Sequence, residues 1–319
     1  MSNSYGAGVA RLHVLRTSWQ RPGVQRAVHD GLTLVGLAVL LLLVLWSPGS
    51  DARAYWSFSP AQPYSGLEGD SGVFMYSPVA ALVSLPFHVL PFNAFRLLMI
   101  GVDMSCLVYL AGPWALAMLA LYPVTLDVSA GNVHLLLAVA IVLGFRYPAA
   151  WAFLLLTKVT PGVGLLWFAV RREWRSLAIA LGVTAALVLV SLIVTPGWWG
   201  TWIATLRESS NCSTACPVGP VLLPIPVPPR LIAAALIVSW GAWTDRRWTV
   251  PVAAMLALPV VWWMSLPMLL AIIPLERGGQ APSSPTAPGI RRPFWHIIER
   301  YRRGQPQTAL TRTPPPPHA

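Results

Sequence analysis

Four small groups of polar residues interrupt a chain that is otherwise apolar or basic. Asp51 and Tyr55 form the first, and Tyr64, Glu68, Asp70 and Tyr76 the second; Asp127, Asn132 and His134 form the third, and Lys158 with Thr160 the fourth. A carboxylate can take a proton from an attacking hydroxyl, a lysine can offset negative charge, and Asn or His can hold a polar substrate by hydrogen bonds. Each group also has a plainer reading. Loop carboxylates are mostly solvated, a lysine can reach toward an interface, and Asn or His in a turn often caps a helix. No Walker loop, dinucleotide fingerprint, zinc-ligand spacing or serine elbow occurs, and no motif asks for a metal or a cofactor.

The elements that must position these groups follow from composition. Of 319 residues, 55% are hydrophobic and only 10% charged, whereas soluble proteins are about a quarter charged. The apolar residues come in repeated runs of roughly 15 to 27, which fits helices that cross a bilayer and not the short alternating strands of a barrel. The expected fold is an all-α, polytopic transmembrane helical bundle of about eight to ten spans. A formal charge of +11 would suggest nucleic acid in a soluble protein. Here the arginines flank apolar runs, where they set topology, and no nucleic-acid partner is expected. Lys158 is the only lysine, and it lies inside an apolar run. A polar group at that depth is a functional candidate by default.

Taken in order, residues 1–30 read as a basic cytoplasmic arm carrying Arg11, Arg16, Arg21 and Arg26. The run from Gly31 to Trp46 lacks a cleavage pattern and reads as an uncleaved first span with its N-terminus in the cytoplasm. An acidic loop at 47–76 then lies outside. Ser77 to Pro91 is expected as a short second span, with Arg96 marking the inner face. Trp114 to Leu126 is too short to cross a core of roughly 30 Å, so it is either tilted or stops within the membrane. Arg171-Arg-Glu-Trp-Arg175 is the clearest cytoplasmic marker. A late outer loop at 195–230 contains Trp198, Trp199 and Trp202, read as headgroup anchors, and Cys212 and Cys216, which are compatible with one bridge. Val250 to Ile273 is either a single span or a kinked hairpin; the arginines after it favour a cytoplasmic tail. Residues 31–275 thus form the membrane domain, and 276–319 a Pro- and Arg-rich tail expected to be disordered.

Several motifs in this order resemble glycosyltransferase family 87. They are Asp51-Ala-Arg-Ala-Tyr55, Phe74-Met-Tyr-Ser-Pro78 followed by Leu85-Pro86, Gly131-Asn-Val-His-Leu135, Thr157-Lys-Val-Thr-Pro161 before Arg171-Arg-Glu-Trp174, and Thr244-Asp-Arg-Arg-Trp-Thr-Val-Pro251. The resemblance covers roughly residues 31 to 275. It is to multi-span actinobacterial enzymes of the GT-C superfamily, similar to polyprenyl-phosphate-mannose-dependent α-mannosyltransferases. Where that family usually has Gly-Gln-Val-Asn, this chain has Gly131-Asn132-Val133-His134.

The resemblance implies a cell-membrane glycosyltransferase with a catalytic first extracytoplasmic loop. It would move a sugar, mannose by the same resemblance, from a polyprenyl-phosphate donor to a cell-envelope glycolipid or glycan. Asp51 takes the role of catalytic base, with Glu68 and Asp70 as fallback bases. Lys158 is the candidate cation for the leaving phosphate, and Arg53 the alternative. Asn132, His134, Tyr55 and Tyr76 are candidate contacts to sugar or phosphate, provided that the 127–134 turn lies at mid-depth as part of a re-entrant pair. The competing reading is a non-enzymatic lipid or glycan carrier, or an inactive relative, on the same scaffold.

Overall fold

The computed structural model describes residues 22–47, 49–65, 74–212 and 221–279. Glu68, Asp70, Cys216 and both chain tails lie outside the described residues, as does the side chain of Cys212.

The long apolar runs become helices. A 1.5 Å rise carries the 25 residues of α1 (Pro22–Trp46) about 37 Å. The 20 residues of α4 (Phe92–Ala111), continued through Met118, and the 21 of α10 (Trp174–Val194) are likewise long and apolar enough to cross a bilayer. Their large apolar side chains are not folded inward: Leu34 is 70% exposed on α1 and Ile193 82% exposed on α10. Leucine and isoleucine faces of this extent need lipid around them. The chain is an all-α, polytopic membrane protein.

Shorter helices fill the interior. They are α2 (Ser50–Ser57), α3 (Pro78–Ser84), α5 (Ala115–Met118), α6 (Tyr122–Ala130), α7 (His134–Gly144), α8 (Trp151–Thr157) and α9 (Leu166–Val170). After α10 come α11 (Pro196–Cys212), α12 (Val227–Trp243), α13 (Thr249–Leu256) and α14 (Ile272–Gly279). Contacts sort the turns between them into two ends. At one end His29 of α1 hydrogen-bonds the Pro113 carbonyl at 3.0 Å, Arg171 pairs with Asp245 at 2.8 Å, and Arg247 stacks on Phe145. At the other end lie Asp51, Met75, Trp202 and the segment around Val261.

This sorting corrects one expectation. Arg96 does not lie at the arginine-rich end: a Cβ on Gly49 would sit 2.9 Å from its Nε. Ser77 to Pro91 therefore does not cross. It consists of α3 and a 3₁₀ segment, Leu85–Val89, about 20 Å in all and held at the Asp51 end. Pro86 and Pro91 stop it from extending. The last apolar run is the hairpin alternative. α13 ascends, residues 257–262 turn at the Asp51 end, and a 3₁₀ stretch, Trp263–Ala271, leads into α14, whose Arg277 lies beside Gly112 at the opposite end. Arg230 holds that turn. Its guanidinium donates to the carbonyls of Ile225, Leu256, Leu258 and Pro259 at 2.7–2.9 Å, satisfying the bare C-terminus of α13.

The 127–134 turn, expected as part of a re-entrant pair, is a sharp bend between two helices. α6 and α7 meet at 101°. Pro123 starts α6 and Gly131 ends it in the left-handed region at φ 68°. The Asn132 N–H donates to Asp127 O and the Gly131 N–H to Val128 O, a Schellman closure. A Cβ on Gly131 would meet Met99 at 3.2 Å and Ala52 at 2.9 Å. Met99 lies seven residues into α4, so the turn sits about 10 Å below the start of that helix. It stops inside the bundle, with α2 resting on it.

Candidate active site

α2 brings Asp51 and Tyr55 onto one face because they are four residues apart. Its Ala52 packs on Gly131, so the first loop and the α6–α7 turn face each other directly. The Tyr55 hydroxyl lies 2.9 Å from that of Tyr76 and donates to Asn132 Oδ1 at 3.5 Å. Ser77 pins the strand of chain behind Tyr76 by donating to the Leu156 carbonyl. Asn132 is itself fixed: its Oδ1 accepts from the Val133 N–H at 2.7 Å, and its Nδ2 donates to Met264 Sδ at 3.0 Å.

Beneath this lies a buried chain of charge. Asp127 and His134, both fully buried, meet through Oδ1 and Nδ1 at 2.9 Å. The donors that face Nε2 assign it the lone pair, so Nδ1 carries the hydrogen and Asp127 accepts. That lone pair faces Lys158 Nζ at 3.1 Å and Ser265 Oγ at 3.4 Å, both donors. Lys158 is delivered by a broken helix: α8 ends at Thr157, Lys158 itself is extended, and Pro161 forces a 3₁₀ continuation.

Asp51 is tied to this chain electrostatically. Burial pushes its carboxyl above the ordinary carboxylate range, while the Lys158 charge and the Ser50 hydroxyl, donating at 3.3 Å, pull it back. The arrangement can hold one carboxylate poised to accept a proton near one ammonium able to face an anion. Among the described residues no three His, Cys, Asp or Glu side chains converge to hold a metal ion.

Asp51, Tyr55, Tyr76, Asn132, His134 and Lys158 are thus brought together. Arg53 is not with them. It leaves α2 about 200° from Asp51 and stacks over Phe92 at 4.3 Å. Glu68 and Asp70 lie outside the described residues. Sequence reasoning passed over Ser265 and Asp103. Each is a lone polar residue in an apolar run and fully buried; neither oxygen of Asp103 has a hydrogen-bond partner among the described residues. The cost of burying such groups in a bilayer was the signal that marks them. Asp127 was visible in its motif, but its partnership with His134 was not.

The family model of glycosyltransferase family 87 matches residues 74–273, more than half of the chain. No curated protein and no solved structure matches.

Proposed function

The chain belongs to glycosyltransferase family 87, and from that premise we propose that it transfers a sugar, mannose in the nearest reading, from a polyprenyl-phosphate donor to a cell-envelope glycolipid or glycan. The acceptor oxygen attacks the anomeric carbon as the bond to phosphate breaks, inverting that centre. Asp51 takes the acceptor's proton. The departing lipid phosphate keeps the bonding electron pair, and the Lys158 ammonium offsets its charge. Phosphate is already a good leaving group, so no protein acid has to protonate it. His134 spends both ring nitrogens on protein partners, so its part is to hold Lys158. Tyr55, Tyr76 and Asn132 supply polar contacts for the sugar.

The observation that supports this reading best is the Asp127–His134–Lys158 chain next to the Ala52–Gly131 contact, with Asp51 one residue before Ala52 and the rise in its carboxyl pKa held down by the Lys158 charge. A carrier needs polar contacts to a headgroup but has no use for a carboxylate whose charge is tuned against an ammonium. In the same reading the protein sits in the cell membrane with residues 1–30 cytoplasmic and the 47–76 and 195–230 loops outside. The catalytic domain is 31–275, and 276–319 is an appended tail.

The test is Asp51→Asn, assayed in membranes with a polyprenyl-phosphate-linked sugar and read by mass spectrometry of new glycolipids. Loss of a general base costs about 10²- to 10⁴-fold in rate, while the protein stays folded. Undiminished transfer overturns the base assignment, and movement of labelled lipid with no covalent product would make the protein a carrier.

A further inference from the structure

On the side of α2 away from Asp51, two arginines gather around one aromatic ring. Arg53 lies over Phe92 at 4.3 Å from the ring centroid. Arg96, one turn further along α4, packs against Gly49, whose left-handed backbone (φ 65°) leaves 2.9 Å between a Cβ position and Arg96 Nε and 3.4 Å to Phe92 Cζ. That Nε is buried without a hydrogen-bond partner, and Nη2 reaches the Ser129 carbonyl only at 3.5 Å. No described carboxylate forms an ion pair with either arginine. Two guanidinium groups held together beside an apolar ring repel, and an anion between them removes that cost.

The setting selects the kind of anion. Phe92 begins the long apolar helix α4, and Trp56, 5.4 Å from Phe92, donates its indole N–H to the Leu90 carbonyl at 2.8 Å. A tryptophan so placed marks the headgroup level. Both arginines are half-exposed there, and their planar forks match phosphate oxygens two at a time. We propose that Arg53 and Arg96 together bind the phosphate of an anionic membrane phospholipid, at a site separate from Asp51 and Lys158. This site does not depend on sugar transfer.

Native mass spectrometry of the full chain in neutral detergent tests it, with dioleoylphosphatidylglycerol as probe and dioleoylglycerol as the phosphate-free reference. The phospholipid should bind about tenfold or more tightly than the reference, one charge-assisted contact being enough for that. Arg53→Gln and Arg96→Gln should each abolish the preference, and Arg175→Gln, on an exposed residue at the other end, should leave it intact. If the glutamine variants do not fold, Arg53→Lys and Arg96→Lys carry the same test, because an ammonium keeps the charge but loses the fork; the preference should weaken. A preference that survives these substitutions overturns the proposal. So does displacement by millimolar inorganic phosphate, which would make this a solute site. Displacement by equimolar undecaprenyl phosphate would give the arginines to the sugar donor instead. A preference that appears only after Glu68→Gln and Asp70→Asn would mean that the loop already compensates the pair, and overturns it too.

Discussion

The contact between Gly131 and Ala52 sets the distance between the two halves of the site, so Gly131→Ala should damage both stability and transfer. The left-handed conformation at φ 68° costs an L-residue about 1–2 kcal/mol. The new methyl, 2.9 Å from Ala52 Cβ and 3.2 Å from Met99 Cβ, adds an overpacking cost of about 1–3 kcal/mol. A less flexible unfolded chain returns about 0.4–1 kcal/mol, leaving a net loss of about 1–4.6 kcal/mol. Part of the clash will be relieved by lifting α2 off the turn by nearly an ångström, and displacement on that scale can cost about 10²-fold in rate. The readouts are the melting temperature of the purified protein in detergent and the initial rate of sugar transfer in membranes. Gly101→Ala is the control, since a Cβ there meets nothing within 4 Å and the site is mid-helix. It should be neutral or stabilising by about 0.5–1 kcal/mol. The decisive variant is Ala52→Gly combined with Gly131→Ala, which removes the closest contact while keeping the backbone strain. It should recover part of the overpacking cost of about 1–3 kcal/mol, the Met99 contact remaining, and part of the rate, giving a measurable coupling energy. If Gly131→Ala behaves as wild type, or the two substitutions simply add, the glycine contact does not position the site.

Three further outcomes follow from the same geometry. With Asp51 as the proposed base, its raised pKa should place the acidic limb of kcat/KM above the ordinary carboxylate range. Because the Lys158 charge lowers that pKa, Lys158→Met should move the limb to higher pH, and a limb that stays or moves down refutes the coupling. Asp127→Asn can turn an amide N–H toward His134 Nδ1 and reverse the tautomer, so that Nε2–H repels the Lys158 ammonium. It should lower kcat, with little further loss in the double variant with Lys158→Met; additive losses would show that Asp127 acts independently of Lys158. Arg230→Met strips donors from four carbonyls, three of them at the α13 turn. It should cost about 3 kcal/mol or more by thermal melting and leave the pH profile unmoved.

Much of this was legible in residue order. Apolar runs with few charges dictate helices in a bilayer, because backbone polar groups there can be satisfied only within the helix. A lone lysine against such a background identifies itself by the cost of burying it, whereas Asp103, just as isolated, was passed over. The motifs inside the matched stretch, residues 74–273, could be read for the same reason: the polar residues stand out from the apolar runs that carry them. Arg96 shows the limit. Position after an apolar run placed it at the arginine-rich end, but Ser77 to Pro91, broken by two prolines, never leaves the Asp51 end. Hydropathy gives the length of a run and not whether it crosses.

What the sequence determined by itself is the helical membrane class and the ionisable groups, Asp51 and Lys158 among them, that stand out in so apolar a chain. The tertiary structure alone decided which of those groups share a site. Asp127 reaches Lys158 only because His134 stands between them, one nitrogen turned to each. Asn132 meets Tyr55 only because a glycine lets α2 settle onto the α6–α7 turn. Those pairings depend on helices that end inside the bundle and on the few ångströms between them. Side-chain chemistry is written locally in the chain, while the distances that let it act arise from packing between segments far apart in sequence.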